Sequence, residues 1–216
     1  MNKKNLYLLL LLFGILFSQN RNDLDFDVLI NDNPYPANIF IHSMGFQNYM
    51  TILDHSIQPY WQINSSNMGI DFKKNSSYLT YFEKNSNIWI KANNMMQEVD
   101  TMQCNTSIGY TDYHDIRLLD NGNYIMQSYD SLYINMGDIV EGGLLNTKVK
   151  GILRIQEFDI NDNLLLDWFA FEHLHIEDYS SSLNLFGAQI TWMHGNSIEI
   201  DYDDNLIISN RRSSEV

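Results

Sequence analysis

The chain has 216 residues, 44% of them apolar and 13% aromatic, enough for a packed core in one domain or at most two. Acidic residues outnumber basic ones 27 to 13, a formal charge of −14. That balance excludes nucleic acid and anionic membrane surfaces as partners, because both need clustered cations, and it favours solubility.

In residues 1–18, Lys3 and Lys4 precede an apolar run from Leu6 to Phe17. The run is too short to span a bilayer and suits the central part of a secretory signal peptide. Cleavage after Ser18 predicts a periplasmic or secreted protein with no membrane tie after cleavage; a retained anchor is the alternative. Residues 19–36 hold Pro34 and Pro36 and form an extended lead-in. Cys104 is the single cysteine, so no intrachain disulfide forms. Sequons at Asn64, Asn75 and Asn105 arise by chance in a chain with 26 asparagines.

From residue 37 to 216 short runs of alternating polarity are separated by Asn, Asp, Gly and Ser clusters, with almost no helical period. Strands are expected at "NIFIHS", "NYMTILD", "PYWQIN", "YLTYFE", "NIWIKA" and "QEVDTMQ". Further on they are expected at "HDIRLL", "NYIMQSYD", "GILRIQEFD", "LLLDWFAFE", "HGNSIEID" and "NLIISNR". Two patterns recur. In one, a strand ends at Asp54 or Asp159 and the next centres on Trp61 or Trp168; in the other, His114 or His194 opens an alternating strand that turns into an apolar one. "MGIDFKKNSSYLTYFE" is a weaker copy with Asp71 near the His position.

Groups of four short antiparallel strands recurring at roughly 40 residues are the mark of propeller blades. The fold class is therefore all-β, a β-propeller with blades at about 37–64, 67–104 and 110–172 and half of a fourth. About three and a half blades make an incomplete ring, so a C-terminally truncated fragment is expected, with an oligomer that completes the ring as the alternative.

A propeller's first strands line its channel, so the register of the repeats brings His114 and His194 to one mouth. Alternation puts Asn196 on the face of His194, and the hairpin returns Arg211 to its level. Two imidazoles, an amide and a guanidinium make a donor-rich pocket suited to a sulfuryl or phosphoryl oxyanion. The alternative for each alone is a turn-capping histidine or a solvated arginine. His173 and His175, flanked by Glu172 and Glu177, imitate a metal pair but have no third well-spaced ligand, so a surface loop is expected. No metal and no cofactor are expected. No Gly-rich phosphate loop, nucleophile elbow or zinc-protease helix occurs in the sequence.

"YHDIRLLDNGNYIMQSYD", "GILRIQEFDINDNLLLDW" and above all "HGNSIEIDYDDNLIISNRRSSEV" resemble the bacterial arylsulfotransferase (aryl-sulfate sulfotransferase) family over residues 37–216. The resemblance implies a six-bladed propeller, exported, that moves a sulfuryl group from an aryl sulfate donor to a phenol acceptor without a nucleotide donor. It matches His114, His194 and Arg211 to catalytic positions and Asn196, with His194 and Arg211, to substrate binding. The register favours Arg211 over Arg212. The histidine that the family sulfates is expected beyond residue 216, so the fragment is expected to hold the sulfuryl group without turning over. The rival is a secreted propeller that binds a glycan or a protein and does no chemistry.

Overall fold

Short runs of β-branched and aromatic residues alternating with polar ones fit a half-buried pleated surface, and the polar clusters between them supply turns. The computed structural model describes residues 27–43, 48–66, 68–106, 109–179, 181–212, 214 and 216. The signal-like segment 1–18 and the start of the lead-in lie outside the described residues, and residues 27–36 are exposed and carry no strand.

Among the described residues the fold is all-β, four sheets with no α-helix. The first sheet runs β1 (Ile39–Ser43), β2 (Tyr49–Leu53), β3 (Pro59–Asn64). The second runs β4 (Met68–Asn75), β5 (Tyr78–Glu83), β6 (Ile88–Ala92), β7 (Glu98–Met102). In the third, β8 (Tyr110–Leu118), β9 (Tyr124–Ile134), β10 (Thr147–Phe158) and β11 (Leu164–Phe169) lie side by side. The fourth is the hairpin of β13 (Gly195–Ile200) and β14 (Leu206–Asn210), with β12 (Gln189–Thr191) between it and β11 in the chain.

One turn design closes five of the hairpins. Asp54, Asp159 and Asp201 each accept at Oδ1 from the amides two and four residues on, at 2.8–3.0 Å. Asn93 does the same before β7, and Leu119 to Asn123 repeats the backbone pattern before β9. The fourth turn residue sits at positive φ in every case: Ile57, Met96, Gly122, Asp162 and Asp204. Side-chain bonds from Ser56, Asn163 and Asn205, together with these amide bonds, hold the three aspartates below the usual carboxylate range.

Three buried clusters lie between successive sheets. Met50, Ile52, Phe72 and Tyr81 join the first to the second. Phe82, Trp89, Met102, Ile116 and Met126 join the second to the third. Val149, Ile155, Trp192 and Ile198 join the third to the fourth. Trp89 and Trp192 are fully buried, and deleting an aromatic of that kind typically costs about 3–5 kcal/mol. The leading strands β1, β4, β8 and β13 stand next to one another in that order. They are joined by side chains: Asn75 Nδ2 on β4 donates to the Ile116 carbonyl at 2.8 Å, and the Leu118 amide returns a bond to Asn75 Oδ1 at 3.0 Å.

Three details depart from the sequence expectation. β12 was not expected; it pairs in parallel with residues 148–150 of β10, while β11 covers residues 154–158 of the same edge. Its three residues are too few to show a period. The stretch around His173 and His175 is not a plain surface loop, because short 3-10 turns bury Ala170, Ile176 and Tyr179 in the core. β8 starts at Tyr110, so His114 lies inside the strand and does not open it.

Candidate functional site

His114 owes its position to an irregularity in β8. Thr111 pairs with Ser128 and Ile116 with Met126, so residues 112–115 all face the single residue Gln127. So large a bulge re-aims side chains that regular alternation would scatter over both faces. Asp112 turns inward and is 1% exposed. Its carboxylate accepts from the His114 amide at 2.9 Å, from Gln127 Nε2 at 2.8 Å, and from His114 Nδ1–H at 2.9 and 3.0 Å. The Nδ1 proton is thereby committed to the carboxylate, leaving Nε2 as the nitrogen open to chemistry. The ring is clamped from the other side by Tyr113, stacked at 4.4 Å.

His194 comes from the segment entering β13. Its amide donates to Asn210 Oδ1 at 3.1 Å, and its carbonyl accepts from the Arg211 amide at 2.9 Å. The hairpin thus sets Arg211 directly across from His194. Gly195 follows because a Cβ there would lie 2.4 Å from Gln127 Oε1. The two imidazoles meet edge to face with centroids 4.7 Å apart. Arg211 acts electrostatically on both histidines, Arg212 on His194 alone among the effects resolved, and His194, Arg211 and Arg212 line a cavity of about 210 Å³.

The histidines have opposite proton affinities. The hydrogen bond to Asp112 raises the His114 pKa above its ordinary value, outweighing burial. Burial lowers that of His194, helped by the charges of His114 and Arg211. Of the two rings, His114 therefore holds a proton more tightly than His194.

The structure brings His114, His194 and Arg211 together. Asn196 is different: the β13–β14 register shifts between Gly195 and Ser197, so the alternation that was to put Asn196 on the face of His194 is broken at that residue. It is half-buried and lines neither cavity beside His194. His173 stacks on Trp168 at 5.4 Å, and His175 is exposed with Glu177 4.0 Å away. No cluster of three or more possible metal ligands occurs among the described residues.

Sequence reasoning missed Asp112, although an Asp two residues before a His was the visible signal. It also missed Asp115, which is 5% exposed, accepts from the Ile198 amide at 2.7 Å and pairs with Lys73. Lys73 Nζ also lies 2.5 Å from Asp71 Oδ2. Burial pushes the Asp71 carboxyl up to about 6 against the pull of Lys73.

An arylsulfotransferase (ASST) family model matches residues 16–216. The chain belongs to the arylsulfotransferase family. Within it, the hairpin from His194 to Arg211 carries two of the three convergent side chains. No curated protein matches this family member. Among solved structures it is similar to a protein of unknown function from Bacteroides caccae, at 9% identity and a TM-score of 0.34, over 81% of this chain and 65% of that one. That likeness is too distant to bear on fold or function. The chain spans 65% of the length of that protein.

Proposed function

We propose that His114, His194 and Arg211 bind the sulfuryl group of an aryl sulfate, and that this protein moves the group to a phenol. Family membership supports a sulfotransferase-like function, and the observation that carries the finer reading is the meeting of two imidazoles and a guanidinium within a chain of net charge −14. A transferring sulfuryl group, like a phosphoryl group, spreads charge over its equatorial oxygens, so positioned cations do most of the work. Arg211 offers a forked set of donors to those oxygens.

The proton inventory suits a two-step transfer. A further neutral imidazole forms an N–S bond as the aryl O–S bond breaks, its electron pair leaving with the phenolate. The His114 imidazolium gives that oxygen its proton from Nε2 while Asp112 holds Nδ1–H. In the second step the acceptor phenol attacks sulfur as the N–S bond breaks, its electron pair returning to the imidazole and the phenol's proton to His114, which restores the starting state. His194 stays neutral and orients the sulfuryl group.

The architecture in this proposal is a six-bladed propeller, the four sheets being successive blades with β1, β4, β8 and β13 toward the channel. The lateral order of those strands supports it. Residues 1–18 serve as an export signal, 19–36 as lead-in and 37–216 as the propeller part, in the periplasm or outside the cell.

The test incubates the full-length protein with 4-nitrophenyl sulfate, followed by mass spectrometry for a sulfated histidine and by nitrophenolate release on adding phenol. A sulfated histidine and acceptor-dependent release are expected. No modification, no release and no preference for the sulfate ester over 4-nitrophenol would overturn the reading and favour a non-catalytic glycan- or protein-binding propeller.

A further inference from the structure

His114 and His194 line a cleft of about 310 Å³ that is also lined by Lys150 on β10. Lys150 pairs with Ser131 on β9 and with Thr191 on β12. The chain from Thr191 then runs alongside: the Trp192 amide donates to the Lys150 carbonyl at 2.8 Å and the Met193 amide to the Gly151 carbonyl at 3.0 Å. Gly151 permits this approach, having φ +67° and room for no Cβ, which would sit 2.9 Å from the Met193 carbonyl oxygen. Two residues separate Thr191 from His194, so their backbones are at most about 11 Å apart. An aryl ring with a group at each end fits within that limit.

The walls and charges fit such an occupant. Tyr110 and Tyr129, with ring centroids 5.6 Å apart, and Tyr113 line the cleft. Of its two acids, Asp112 is engaged with His114, and Asp130 meets Arg154 Nε through Oδ2 at 2.8 Å while its Oδ1 has no hydrogen-bond partner among the described residues. The neighbouring Lys148 has its Nζ 5.8 Å from the Tyr133 ring centroid. Lys150 makes no ion pair among the described residues. A cation without an ion-pair partner in an aromatic cleft, in an otherwise acidic protein, is a local site for an anion.

We propose that the cleft seats the substrate's ring against the tyrosines, and that Lys150 meets an anionic substituent opposite the reacting oxygen. The substrate class is then phenols and aryl sulfates that carry a second acidic group, a carboxylate or a sulfate. This rests on the sulfuryl-transfer reading of the same site and adds its selectivity.

The test measures equilibrium binding of 4-hydroxyphenylacetate and of uncharged 4-ethylphenol to the wild-type protein, Lys150→Met and Lys150→Arg. Thermal melting checks that each variant is folded. Loss of one charge-assisted contact predicts about tenfold weaker binding of the acid in Lys150→Met, unchanged 4-ethylphenol binding, and near wild-type behaviour in Lys150→Arg. The proposal fails if the wild type binds the acid no better than 4-ethylphenol, or if Lys150→Met weakens both alike. Because no transfer is measured, charge-selective binding without any sulfated histidine would leave Lys150 assigned and remove the transferase reading. A sulfated histidine without charge selectivity would do the reverse.

Discussion

The imidazole of His114 meets that of His194 edge to face at 4.7 Å, and the two rings are pushed toward opposite protonation states. The hydrogen bond to Asp112 dominates at His114 and burial at His194, where Asp112 is only a weak opposing influence.

Replacing that carboxylate should narrow the gap between the two rings. In Asp112→Asn, an NMR titration should show the His114 midpoint falling toward that of His194. The wild-type His114 pKa is raised, so its contribution to stability is complete below the unfolded value and fades as pH rises through the folded one. Asp112→Asn should flatten that fade. Transfer activity should drop by on the order of 10²–10⁴, the usual worth of a positioned general acid. Unchanged midpoints would show that Asp112 merely props the bulge.

The two adjacent arginines should separate cleanly. Arg211 acts on both imidazoles, whereas Arg212 acts on His194 as the smallest of its resolved influences. Arg211→Ala should weaken 4-nitrophenyl sulfate binding by about ten- to hundredfold, with Arg211→Lys intermediate because its point charge cannot fork. Arg212→Ala should change it by less than about threefold, near the scale of an exposed charge. Calorimetric titration decides between them.

Asp71 should make the protein less stable as it ionises. Burial raises its folded pKa to about 6, above the unfolded carboxylate value. The folded state therefore binds the proton more tightly between about pH 4 and 6, and stability falls as pH rises through that window. Urea midpoints for Asp71→Asn should lack this decline, a difference visible by comparing pH 4.5 with pH 7.

Asp115 is predicted to be the most costly single truncation near the site. It accepts the Ile198 amide of β13 and pairs with Lys73 of β4, so Asp115→Ala leaves a buried amide and a cation poorly met. The expected loss is about 3–5 kcal/mol in urea unfolding, the range for breaking a buried pair. A loss under about 1 kcal/mol would mean that water replaces the carboxylate.

Most of the strand order was legible because alternation and Asp- or Asn-led turns are local signals. The turns at Asp54, Asp159 and Asp201 all use their side chain in the same way. The meeting of His114 with His194 was legible from repetition, since equal places in equal repeats converge. What stayed hidden depends on register. Nothing in "YTDYHDIRL" marks four residues sharing one partner, so the inward turn of Asp115 could not be read, and Asp112 showed only as an Asp two residues before a His. The same holds for Asn196, where a shift in β13 defeats simple alternation. β12 was invisible because its partner, β10, is some 40 residues away in sequence and supplies the pairing.

The bulge in β8 has a consequence for how this site can change. On either side of it, Thr111 with Ser128 and Ile116 with Met126 fix the ladder independently. Between those anchors Asp112 and Asp115 are buried and bonded, Asp115 to the Ile198 amide of the next hairpin, so the irregular segment is pinned inward at two points. Tyr113, which stacks on His114 and lines the cleft, is the position between them that can vary while the scaffold stays still. New specificities should be sought there first.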